Sequence, residues 1–477
     1  MLHLFTNPRN DSERVTRRQL LKMSALSSSV LGGLGSGRLA RGESPAALAG
    51  VKEGRAKGCI YIFLCGGPSQ PDLWDLKPAA PSGVRSEFAP VATNVPGLHF
   101  GELIPQVARH ADKLALVRSM THSNNDHVGA IVHSLLGQLP SAPGQFYVDR
   151  NDHPGLGALV QTSRSRSGPL PPWIILPRYF TTGSPAYKGQ SAGFLGSRYD
   201  PLVFDKEQKG SLSDAPLTLG DLELSKGMSP QRLVARQELA RSTGQKLESS
   251  SLQRTEELFD QAFGMLATPQ VRKAMQLEHE SSVMRDRYGR NEYGQSLLMA
   301  RRLIEAGVQF VNVFWTFFDS KGCQFNLWDN HGVPNDVCGI DGQLTGRQQL
   351  THQYCTPSFD RSFSALLEDL SDRGMLDETL VAVAGEFGRT PKINATGGRD
   401  HWAHCYTQLL AGGGIRGGSS WGESDSQGAY VSRDPVSPDD YAATILHAFG
   451  VDTESMVRDH LGRPLPVTSG QPITALF

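Results

Sequence analysis

TLVAVAGEFGRTPKINATGGRDHWAH, residues Thr379 to His404, begins as an apolar run and ends in a cluster of acids and imidazoles. Its opening residues read as a buried strand, which stops at Gly385-Glu386-Phe387-Gly388. Open α/β sheets bind ligands at the carboxyl ends of their strands, so Glu386 stands where chemistry is usually done. Arg389 follows it closely. After a Gly-Gly turn, Asp400-His401-Trp402-Ala403-His404 presents Asp400, His401 and His404 as metal ligands from one loop. The pattern points to a metal-assisted ester hydrolase.

Other strand ends repeat the theme. Cys59 to Cys65 is a second buried strand, closed by Gly66-Gly67-Pro68-Ser69, with Asp72 and Asp75 directly after it. Either acid is placed to bind metal, or to cap a turn, as Asp near Gly-Pro commonly does. Lys113 to Met120 predicts a third strand. It runs into Thr121-His122-Ser123-Asn124-Asn125-Asp126-His127, and the apolar segment Val128 to Leu136 then predicts a helix ended by Gly137. Hydroxyls and imidazoles thus meet a helix N-terminus, where backbone N–H groups favour an anion. An ordinary N-cap at Asn125 or Asp126 accounts for the same residues. A further strand, Val308 to Trp315, leads to Trp328-Asp329-Asn330-His331, an acid and an imidazole two apart.

Strands alternating with helices predict an α/β fold with a central, mostly parallel sheet sandwiched between helices. Pro171 to Pro177 and Cys405 to Leu410 read as strands. Asp360 to Arg373 reads as a helix, with Phe363, Leu366, Leu367 and Leu370 on one face, and Asp439 to Phe449 as another. Residues 229–307 carry amphipathic helical spacing and predict a helical insertion. A formal net charge of −1 leaves no basic footprint for nucleic acid. The 6 cysteines are too few to hold a chain of 477 residues together as a disulfide scaffold.

Thr16-Arg17-Arg18-Gln19-Leu20-Leu21-Lys22 resembles a twin-arginine export signal, followed by a short, weakly apolar segment and a small-residue cleavage site at Ala47-Leu48-Ala49. Residues 1–49 are therefore expected to be a signal peptide and 50–477 the working domain. The expected destination is the periplasm or the extracellular space, with no membrane span in the mature chain.

If the strands are parallel neighbours, Asp72, Asp75, Asp329, His331, Glu386, Asp400, His401 and His404 gather along one edge of the sheet. Mixed carboxylate and imidazole ligands suit zinc or manganese, and an all-carboxylate subset suits calcium or magnesium, as one or two ions. Thr121, Ser123 and Ser119 are the hydroxyls offered as nucleophile; His127 or His122 could move a proton, and Arg389 or Arg399 could hold an anionic group or form a surface ion pair.

Gly66-Gly67-Pro68-Ser69 with Asp72 and Asp75, Ala300 to Val308, Trp328 to His331, Gly385 to Pro391 and Gly398 to Trp402, in this order, resemble a large family common in planctomycetes. It is domain-of-unknown-function family fifteen-oh-one, similar to a branch of the alkaline phosphatase and sulfatase superfamily. The resemblance implies an alkaline-phosphatase-like sheet between helices with metals at the strand ends. It implies that Asp72 or Asp75 is the ligand after the first strand, that Thr121 to His127 is the nucleophile segment, and that Asp329 and His331 are the middle pair. Glu386, and His401 or His404, are implied as later ligands. Two departures stand out: the sulfatase Cys-x-Pro-Ser-Arg motif does not occur near residue 120, and Phe387 stands where the superfamily has His or Asn. The expected function is an exported metal-dependent hydrolase of sulfate or phosphate esters, sulfated polysaccharide among them. The alternative is a non-catalytic relative that binds metal and a glycan or envelope partner.

Overall fold

The computed structural model describes residues 55–140, 144–163, 170–181, 186–203, 232, 235, 273–318, 324–325, 327–332 and 344–477. The expected signal peptide lies outside the described residues, as does the expected helical insertion from 229 to 272 apart from Arg232 and Ala235.

Eight strands make the main sheet. They are β1 (Gly58–Leu64), β2 (Leu114–Met120), β3 (Trp173–Leu176), β4 (Leu202–Val203), β5 (Phe310–Trp315), β6 (Thr379–Ala384), β7 (Tyr406–Ala411) and β8 (Ser419–Trp421). Their order across the sheet is β8-β2-β7-β6-β1-β5-β3-β4. β1 is central: Gly58 to Phe63 pair in parallel with Thr379 to Ala384 on one side, and Cys59 to Leu64 with Phe310 to Trp315 on the other. β7 alone runs against its neighbours, antiparallel to both β6 and β2. The sheet is thus mixed and mostly parallel, as expected, with one reversed strand inside it.

Alternation along β1 shows why the sheet needs a layer on each face. Ile60, Ile62 and Leu64 join a core with Leu297 and Leu298 of helix α3 (Glu292–Glu305) and Phe363, Leu366 and Leu367 of α4 (Thr356–Asp372). Cys59, Tyr61, Phe63 and Cys65 join a second core with Ile131 and Leu135 of α1 (His127–Leu136), Leu159 of α2 (Leu156–Ser163) and Ile445 of α5 (Pro438–Ala448). A parallel strand covered on both faces reads as a continuous apolar run. Each large apolar side chain so buried contributes about 1.5–3 kcal/mol.

Local sequence sets the helix ends. Asp126 caps α1 by accepting from the Gly129 N–H at 3.1 Å. Gly137 ends it in the left-handed region at φ 64°, where a Cβ would also meet the Ala442 Cβ of α5 at 2.1 Å. Residues 282–288 and 292–305 are helical, so the described part of the expected insertion packs on the sheet as α3 and its neighbour. Among the described residues no helix is long and apolar enough to cross a membrane.

Candidate metal centre

The exits of β2, β5 and β6 converge. His127 is the first residue of α1, on the loop after β2; Asp329 lies beyond β5; His401 lies on the loop between β6 and β7. One ligand atom from each falls within 4.8 Å of the others. His127 Nε2 is 3.1 Å from Asp329 Oδ2, and His401 Nε2 is 3.0 Å from Asp329 Oδ1.

Two more of the expected residues stand beside this triad. His331 Nε2 is 2.7 Å from Asp329 Oδ1 and 2.7 Å from His401 Nε2, and its Nδ1 is 3.1 Å from Asp400. Two imidazole nitrogens at that separation can share one proton as donor and acceptor, and with a carboxylate oxygen equally near they frame a position that suits a cation. Glu386 is fully buried; its Oε1 accepts from the Gly66 N–H at 2.8 Å and faces His127 Nδ1 at 2.8 Å. Among the described residues, its Oε2 is buried with no hydrogen-bond partner. A carboxylate oxygen in that condition is costly unless a proton or a cation meets it.

The electrostatics agree. Burial alone would lower the His127 pKa, but hydrogen bonds to Asp329 and Glu386 and their charges hold it up at about 9. Burial would raise Asp329, yet Arg389 and the hydrogen bonds from His127, His331 and His401 hold it well below the usual carboxylate range. Burial pushes His401 down against its bond to Asp329, whereas Asp329 and Asp400 overcome burial at His331 and raise it. In short, the carboxylates retain a proton on His127 where a cation would otherwise stand. Two imidazoles and a carboxylate fit zinc or manganese better than calcium, which takes oxygen ligands.

Phe387 does not supply a ligand atom. Its buried ring lies 5.0 Å from the His127 ring and 4.5 Å from the His401 ring, as a wall against both. The chain comes close there: Gly67, at φ 86°, would place a Cβ 2.7 Å from the Phe387 ring. The histidine side chains remain 15% to 22% exposed while Asp329 is 8% and Glu386 0% exposed, so the cluster opens to solvent on its imidazole side.

Other expected site residues are placed elsewhere. Asp72 is held by Arg399 at 2.8 and 3.1 Å, by Ser69 at 2.5 Å and by Ser86 at 2.7 Å, as the anchor of a buried ion pair apart from the triad. Asp75 faces Ser424 and Lys77. His404 packs against Trp402 and Tyr430 at ring separations of 4.8 and 5.7 Å. Arg389 is fully buried and donates to the carbonyls of Gly66, Gly67, Trp328 and Arg399 and to Asp329. Its guanidinium therefore braces the site from behind and does not face a solvent-borne ester. Thr121 is half-buried and Ser123 exposed; neither hydroxyl is hydrogen-bonded to the triad.

Residues 56–477 match the model of the family described as "Protein of unknown function (DUF1501)". The chain belongs to this family. No curated protein sequence matches this DUF1501 member. Among solved structures it is similar to Ps i-CgsB bound to k-i-k-neocarrahexaose, at 9% identity over 84% of this chain and 73% of that one, TM-score 0.39. It is similar to the lipoteichoic acid synthase LtaP from Listeria monocytogenes, at 10% identity over 87% and 88% of the two chains, TM-score 0.37. The PsFucS1 sulfatase from Pseudoalteromonas sp. is similar at 12% identity over 89% of the DUF1501 chain and 71% of its own, TM-score 0.37.

Proposed function

We propose that this protein is an exported, metal-dependent hydrolase of sulfate or phosphate esters, sulfated polysaccharide among them. The observation that carries the reading is the meeting of His127, Asp329 and His401 from three strand ends, flanked by His331 and the orphaned Glu386 oxygen. A divalent cation held there, zinc or manganese by the donor set, would polarise an ester oxygen as a Lewis acid. His127, hydrogen-bonded between Asp329 and Glu386, would be one of the three groups holding that cation and would give up its ring proton on binding it. The positive end of the α1 dipole lies on the same side and favours an anionic ester. Thr121 and Ser123, on the loop entering α1, remain the hydroxyls proposed as nucleophile. Export by the twin-arginine route rests on residues 16–22, and it suits a protein that leaves the cytoplasm already folded.

One observation favours a second reading, a non-catalytic metal-binding relative with a glycan or envelope partner. Arg389 is fully buried, so it cannot clamp a substrate anion. Elemental analysis of the purified protein, with aryl sulfate and aryl phosphate turnover by wild type and His401→Ala, separates the two. Metal with turnover that His401→Ala abolishes supports the hydrolase. Metal without turnover leaves the second reading, and absence of metal after loading defeats both.

A further inference from the structure

Besides the segment that carries Asp329, three stretches must hold their spacing if His127, His401 and Glu386 are to face one point. They are 121–127, which ends in His127; 385–389, which carries Glu386 and Phe387; and 401–403, which begins with His401. One residue, outside the ligand set, touches all of them. The backbone N–H of His122 donates to the Ala403 carbonyl at 2.9 Å. Its ring Nε2 is 2.7 Å from the Glu386 carbonyl oxygen, and its Nδ1 accepts the Asn124 N–H at 3.1 Å. The Asn124 side chain then accepts the N–H of Asp126, the cap of the helix that carries His127, at 2.8 Å.

These partners settle the ring's protonation. An imidazole nitrogen that accepts a backbone N–H bears no proton, so Nδ1 is bare and Nε2–H donates to the Glu386 carbonyl. The ring's edges pack against the rings of His133 and Tyr406 at 5.7 and 5.6 Å. A neutral imidazole with both nitrogens spent on backbone does not shuttle protons.

We propose that His122 is a positioning residue: its two ring nitrogens fasten the Glu386 loop to the loop that starts α1, and so set Glu386 against His127 in the metal centre. This rests on the metal-site reading above. The two nitrogens have separable duties, and two amide side chains imitate them one at a time. In His122→Gln the amide nitrogen takes the place of Nε2 and keeps the bond to Glu386. In His122→Asn the amide oxygen takes the place of Nδ1 and keeps only the Asn124 bond. His122→Leu keeps neither.

Cobalt(II) affinity, measured by competition with a chromophoric chelator, should stay within about threefold of wild type in His122→Gln and fall by about tenfold in His122→Asn and His122→Leu, the size of effect one buried hydrogen bond supports. Hydrogen exchange of the metal-free proteins gives a readout that does not require metal. Amides in 385–389 should exchange faster in the Asn and Leu variants and at the wild-type rate in the Gln variant. Equal behaviour of Gln and Asn variants in both measurements overturns the proposal, and if His122→Leu does not fold, that Gln–Asn contrast decides alone. Should wild type bind no cobalt(II), the metal reading fails, and the exchange pattern still decides whether His122 fastens the loops.

Discussion

The Arg389 guanidinium lies 2.5 Å from Oδ1 of Asp329, and both side chains are buried. A carboxylate that also meets His127, His331 and His401 would carry its charge uncompensated without that partner. Arg389→Met should destabilise the metal-free protein by about 3–5 kcal/mol, the cost of removing one member of a buried pair. Urea denaturation checks the figure, and added zinc should recover part of the loss by supplying positive charge at Asp329. A stability unchanged from wild type would show that Asp329 does not need Arg389.

Metal uptake should depend on pH with a definite sign. His127 holds a proton up to about 9, and a cation bound by its ring must displace it. Apparent affinity should therefore rise as pH rises towards 9, by up to about tenfold per unit, and binding near neutrality should release a proton. Calorimetry in two buffers of different ionisation enthalpy measures that proton directly. The metal-free fold shows the opposite trend. Because the folded value lies above the ordinary 6.5, the His127 contribution to stability is complete below 6.5 and lost as pH climbs through about 9.

Phe387 tests orientation separately from ligation. Its ring lies against both His127 and His401, so Phe387→Ala gives two imidazoles freedom to turn without deleting a ligand. Zinc affinity should fall by roughly tenfold, within the range seen when groups that orient metal ligands are removed. Competition with a chelating dye reads the change. Stoichiometry should remain that of wild type.

Asp72 and His401 should separate cleanly. Asp72→Asn breaks a buried pair with Arg399 and should cost about 3–5 kcal/mol in denaturant unfolding, while the protein still loads metal. His401→Ala should reverse the outcome, with modest loss of stability and loss of metal. Equal metal loss in both would mean that Asp72 acts on the site after all.

The fold was largely legible because buried parallel strands announce themselves as short apolar runs, as at Cys59 to Cys65 and Thr379 to Ala384. The reversal of β7 was not, since side-chain pattern is the same whichever way a strand runs. At the site, Asp329, His331 and His401 could be named because acid and imidazole follow strands together. Asp72 could not be sorted the same way: a carboxylate after a Gly-Pro turn looks alike whether it faces a cation or Arg399. His404 could not be sorted from sequence either. The short strand ends at Trp402, and beyond it the chain bends so that His404 packs on Trp402 and Tyr430 while His401 turns to Asp329. His127 was expected to move protons; its place in the triad follows from Asp126 capping α1 beside the sheet edge, a tertiary fact.

The triad is drawn from loops that follow β2, β5 and β6, with 202 positions between His127 and Asp329 and 72 between Asp329 and His401. No fragment that stops short of β6 can present His401 to Asp329, so chelation comes last in the order of events. A loaded centre is then a certificate that the sheet has closed, and the ion, once in, weights the equilibrium against reopening.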